Sequence, residues 1–123
     1  MQNPLSRVRG LGSAKEGTAH WWAQRVTAIA LVPLVVWYVA SLVTLIGADR
    51  ARVVEWLQSP FAAIASVLLI LAVFHHAQLG LQVVIEDYVH KSWTKHTLLL
   101  LAKFGSAVLA ATAIFAVLKI AFA

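Results

Sequence analysis

Two adjacent histidines, His75 and His76, stand inside a long apolar run that ends in Glu86-Asp87-Tyr88. Ionisable side chains are costly to keep in a hydrophobic segment and mark functional positions there. On a helix turning about 100° per residue, His76, Gly80, Val83, Val84 and Asp87 recur on one face. His75 points about 100° away from that face. From His76 to Asp87 the helix rises about 16 Å. One face therefore offers an imidazole deep in the segment, a missing side chain one turn on, and a carboxylate at the far end.

Several chemistries use such a face. An imidazole with glycine at i+4 lets a helix approach a flat macrocycle: the nitrogen ligates iron, and no side chain strikes the ring. Only one such face exists in the chain, so a six-coordinate haem would take its second ligand from a partner chain or a second copy. Histidine pairs in membrane helices also relay protons or bind zinc or copper, and a histidine can simply be packed. At the other end, the Tyr88 hydroxyl is a neutral donor suited to a quinone carbonyl, with Asp87 beside it to orient it or supply protons. An interfacial tyrosine and a solvated acid are the plainer reading. Glu86 and Asp87 both oppose the helix dipole, which favours a function for at least one of them.

These residues need a membrane to hold them. Of 123 residues, 61% are hydrophobic and only 12% charged, about half the charge of a soluble domain. The apolar blocks match the roughly 20 residues a helix needs to cross a bilayer. The fold expected is all-α, with three transmembrane helices at about 26–46, 61–85 and 97–121. There are no cysteines, which excludes disulfides and cysteine-ligated iron–sulfur clusters on this chain. The net charge of +5 comes from basic residues scattered beside the spans. There they set topology and meet membrane lipid, so no nucleic-acid partner is expected. The first apolar block starts late and is too long for a signal peptide, with no small-residue cleavage site after it.

In chain order, residues 1–22 read as a polar, basic arm over the membrane surface, and 23–123 as the anchor domain. Trp21 and Trp22 bring indoles to the water–lipid boundary. Arg25 follows, either snorkelling or turned inward to hold an anionic or carbonyl group. Pro33 lies inside the first span, where neighbouring groups can satisfy the freed carbonyl. The first connection is neutral, with an interfacial turn expected at Val53-Val54-Glu55-Trp56-Leu57, and Ser59-Pro60 opens the second span. Gly105-Ser106-Ala107 with Ala110 and Ala111 forms a small-residue face suited to close packing. Most lysine and arginine lies in the arm and the second connection. The positive-inside rule puts both in the cytoplasm and the carboxyl terminus on the periplasmic or intermembrane side.

The run His76-Ala77-x-x-Gly80-x-x-x-Val84-x-x-Asp87-Tyr88, with Arg25-Val26-Thr27-Ala28-Ile29 upstream, resembles the small hydrophobic membrane anchor of succinate dehydrogenase. The resemblance covers the whole chain. It implies an integral, multi-pass anchor in the inner (cytoplasmic) membrane, within respiratory complex II of the tricarboxylic acid cycle. It also implies a succinate:ubiquinone oxidoreductase whose catalysis on succinate lies on other chains, so no catalytic residue is expected here. The implied partners are a second three-span membrane protein of the cytochrome b556 type, an iron–sulfur protein and a flavoprotein. The implied cofactor is haem b, shared with the cytochrome b556-type partner and ligated by His76, with Gly80 packed against the ring and ubiquinone as substrate. Tyr88 is implied to donate to ubiquinone, with Asp87 in its surroundings and Arg25 near the haem propionates or quinone. His20 is a further contact of the propionates. A small proton- or metal-handling membrane protein and a cofactor-free structural anchor are the readings left to set against it.

Overall fold

The computed structural model describes Pro4 and residues 11–123, with the side chains of 11–16 left aside. The expected arm's Arg7 and Arg9 lie outside the described residues, and so do the side chains of Lys15 and Glu16. Four helices follow in order: α1 (Leu11–Thr44), α2 (Arg50–Gln58), α3 (Pro60–Tyr88) and α4 (Ser92–Ala121). Three of them, from Gly17 in α1, are long and apolar enough to cross a membrane. In hydrocarbon every backbone donor and acceptor must be satisfied within the segment, so apolar blocks of this length become helices.

The helix boundaries differ from those expected. α1 starts at Leu11, well before the apolar block at Val26, and passes through Pro33 without a break. Hydropathy marks the part of a helix that sits in hydrocarbon, and backbone hydrogen bonding carries the helix on into the interface. At about 1.5 Å per residue, the 29 residues of α3 span about 43 Å, beyond the roughly 30 Å hydrocarbon core.

The first connection holds more structure than a turn. Gly47 takes φ +79, a value that favours glycine. Asp49 then caps α2, its carboxylate accepting from the Arg52 amide at 3.0 Å. α2 lies against α3 and α4, and Trp56 stacks on Trp37 of α1 at 5.8 Å. Phe61 meets Trp37 edge-on at 5.5 Å, so this end of the bundle carries an aromatic belt. Ser59 caps α3 with Pro60 in the first turn, as expected, although its hydroxyl makes no capping bond.

α3 is the middle of the fold. It packs against α1 on one side and α4 on the other, and the backbones of those two do not approach each other among the described residues. Every buried residue described belongs to α3: Ala62, Ala65, Ser66, Ala72, Gln78 and Leu79. Small side chains there let the neighbouring helices come close. The small-residue face expected on the third span does not play that part as a whole. A Cβ on Gly105 would meet nothing within 4 Å, while Ser106, Ala107 and Ala110 line a groove against α3. α1 and α4 thus flank α3, and large apolar side chains on all three spans are exposed in this chain.

Candidate functional site

The two histidines leave α3 in different directions. His75 is exposed and lines the groove toward α4 with Phe74, Gln78, Lys103 and Ser106. His76 is half-buried and faces α1. The 100° separation read from the spacing thus becomes a separation between two grooves on the two sides of α3.

On the α1 side, residues one and two turns apart converge with His76. His20, Gln24 and Ala28 follow the i, i+4, i+8 spacing, and Trp21 and Arg25 follow the adjacent one. Together with Gly17, His76 and Val83 they line a groove of about 440 Å³. The Arg25 guanidinium carbon lies 5.1 Å from the Trp21 ring centroid, a cation–π contact that aligns the cation along the groove wall. Two polar atoms here, His20 Nε2 and Gln24 Oε1, are buried without a hydrogen-bond partner among the described residues. Buried polar atoms without partners are costly. The two atoms lie beside Arg25 and the His76 imidazole in the same groove.

His76 is held through Nδ1. That atom lies 2.9 Å from Thr27 Oγ1, which donates to the Ala23 carbonyl at 2.7 Å and lies 3.1 Å from that of Gln24. In the sequence Thr27 stands out only as part of a motif, and Gln24 has no role at all. A threonine in an apolar helix usually bonds back to its own preceding turn, so its second contact leaves no trace in the sequence.

One turn from His76 on the same face, Gly80 leaves open space, with nothing within 4 Å of where a Cβ would lie. These residues fit half of a haem site: an imidazole fixed by one nitrogen, a bare patch of helix beside it, and an arginine with unpartnered polar groups nearby. Among the described residues no three His, Cys, Asp or Glu side chains gather to hold a bare metal ion. A haem iron asks only one ligand of each helix.

Asp87 and Tyr88 stand apart from that groove, at the end of α3. Both are exposed, Tyr88 by 77%. Among the described residues neither side chain makes a hydrogen bond or ion pair, and Arg25 pairs with no acid. Glu86 faces elsewhere: it accepts from Gln82 Nε2 at 3.2 Å, and Gln82 accepts from Gln78 Nε2 at 3.5 Å. This polar ladder runs on the side of α3 where His96 and Lys103 lie. The two neighbouring acids therefore differ in their surroundings: both are exposed, Glu86 accepts from Gln82, and the Asp87 side chain makes no hydrogen bond among the described residues.

The fold defines a class: an all-α protein with three helices long and apolar enough to cross a membrane. The chain belongs to the succinate dehydrogenase/fumarate reductase transmembrane subunit family, whose pattern it matches over residues 1–118. It is 34% identical over 100 residues to the succinate dehydrogenase hydrophobic membrane anchor subunit of Rickettsia conorii, covering 80% of this chain and 79% of that one. The protein of the same name from Paracoccus denitrificans is 32% identical over 108 residues, covering 88% and 84%. The succinate dehydrogenase membrane anchor subunit of Reclinomonas americana is 35% identical over 88 residues, covering 66% and 70%. No solved structure matches the chain significantly.

Proposed function

We propose that the chain is the hydrophobic membrane anchor of a succinate:ubiquinone oxidoreductase in the inner (cytoplasmic) membrane, with half of a haem b site and part of the ubiquinone-reduction site. The observation that carries the proposal is the groove between α1 and α3. It joins His76 to Arg25 and to two buried polar atoms without hydrogen-bond partners among the described residues. A second membrane protein, of the cytochrome b556 type, would cover this face and supply a second ligand. The iron–sulfur protein and the flavoprotein dock on the cytoplasmic side, taken as the side with Lys91 of the second connection and Lys95 in the first turn of α4. The start of α1 lies on that side too, and the end of α4 on the opposite one.

In this reading His76 would hold a haem through Nε2, Gly80 would leave room for it, and Arg25, with His20 nearby, would neutralise its propionates. When bound, the haem would supply a one-electron reservoir. Tyr88 donates its hydroxyl proton in a hydrogen bond to a ubiquinone carbonyl oxygen. That bond strengthens as charge develops on the oxygen during reduction. Asp87 orients the donor and passes protons toward the site. Two electrons from the partner's iron–sulfur centres and two protons convert ubiquinone to ubiquinol.

The test is the haem content of the assembled, detergent-solubilised complex, read as the pyridine haemochrome. One haem b per copy of this chain is expected; a complex that oxidises succinate and reduces ubiquinone without haem would overturn the haem assignment. Gly80→Leu gives a sharper form. A Cβ at that position would meet nothing within 4 Å in this chain, and leucine has the better helix propensity by almost 1 kcal/mol. The chain therefore folds and assembles, while haem content falls several-fold. Unchanged haem content in Gly80→Leu would move the ring away from Gly80.

A further inference from the structure

We propose that Thr27 is the positioning residue of the iron ligand, holding His76 in the tautomer that leaves Nε2 free to bind metal. The inference rests on the haem reading above. It is carried by three distances around one oxygen: Thr27 Oγ1 lies 2.7 Å from Ala23 O, 3.1 Å from Gln24 O and 2.9 Å from His76 Nδ1.

A hydroxyl has one hydrogen, and the two carbonyls can only accept. If that hydrogen pointed at His76, a lone pair of Oγ1 would face the Ala23 carbonyl oxygen at 2.7 Å with no proton between them. The hydrogen therefore belongs to the carbonyl, at the usual distance of an O–H···O bond. Oγ1 then has only lone pairs left for the imidazole, so Nδ1 must carry the hydrogen and donate it. A neutral imidazole has a single N–H; with Nδ1 protonated, Nε2 holds the free electron pair.

Two consequences follow. The first is orientation. A threonine bonded back to its preceding turn has its χ1 fixed, so the acceptor that holds the ring is itself held by α1, and the imidazole cannot turn without losing its partner. The second is electronic. An acceptor on the far nitrogen of a metal-bound histidine raises the basicity of the ligating nitrogen. The Thr27 oxygen, polarised by its own bond to a backbone carbonyl, is a stronger acceptor for that reason. A more basic ligand favours ferric over ferrous iron and lowers the haem potential. A threonine that merely packs against the ring would have neither effect.

The test compares Thr27→Val, which keeps the shape and removes the hydroxyl, with Thr27→Ser, which keeps the hydroxyl. In the assembled complex, Thr27→Ser should match wild type in haem content and midpoint potential. Thr27→Val should raise the potential, a tenfold loss of ferric preference corresponding to about 59 mV for one electron. If the ring is held less well, Thr27→Val should also lose haem. A potential and haem content unchanged in Thr27→Val would overturn the inference while leaving the haem reading in place, as would a downward shift or equal losses in both variants. The 15N spectrum of His76 in the haem-free full chain reads the tautomer without any haem. The Nδ1–H form is expected in wild type and a mixture in Thr27→Val; an Nε2–H form in wild type would contradict the assignment.

Discussion

Replacing His76 with alanine should abolish the b-type absorption band of the complex, whereas replacing its neighbour His75 should leave that band intact. The two residues have the same chemistry and adjacent positions, so composition and local hydropathy do not separate them. Their surroundings do. His76 is half-buried, bonded through Nδ1 to Thr27, and shares its groove with Arg25. His75 is exposed on the α4 side of α3, beside Lys103 and away from the open patch at Gly80. In the proposed reading His76 is the ligand this chain would supply to the haem, so the expected effect is a near-complete loss of the band. The reduced-minus-oxidised difference spectrum of membranes containing the complex measures it. Succinate oxidation with an artificial acceptor should persist in both variants, because those reactions lie on other chains. A band lost only in His75→Ala would reverse the assignment.

The second large effect is expected at Tyr88. Tyr88→Phe removes one oxygen from a side chain that is 77% exposed and makes no hydrogen bond among the described residues. Surface substitutions of this kind usually change stability by no more than about 0.5 kcal/mol, so the fold and the assembly are preserved. A preorganised donor to an oxygen that gains charge in the reaction is worth on the order of 10²-fold in rate. Ubiquinone reduction should fall by about that factor, with artificial-acceptor activity unchanged. Equal loss of both activities would point to a role in assembly, and loss of neither would remove Tyr88 from the quinone site.

The parts of the fold legible in the sequence are those dictated by a single strong force. Apolar blocks of membrane length must become helices, so three spans follow directly. Their ends do not, because a helix runs past the hydrocarbon wherever its backbone remains satisfied, as α1 does from Leu11. The nine residues of α2 are too few and too polar to form an apolar block, and only the tail of that helix is visible in the sequence, as a turn at Val53–Leu57. Asp49, its N-cap, is the signal that marks its start. Helix period alone tells His76 from His75, since both lie on one regular element. It also links Gly80 to His76. The groove itself is not legible, because it needs the register between α1 and α3. Thr27 and Gln24 become interesting only once that register brings them to His76. The small-residue face of α4 misleads for the same reason: periodicity says which residues share a face, not which face meets a neighbour.

The most direct test of the central claim is an experimentally determined structure of the assembled complex that resolves the groove between α1 and α3. The expected result is a haem b whose iron is bound by Nε2 of His76, with Nδ1 still on Thr27 and the ring passing over Gly80. Iron bound by His75, or a groove filled by the partner's side chains alone, would contradict it.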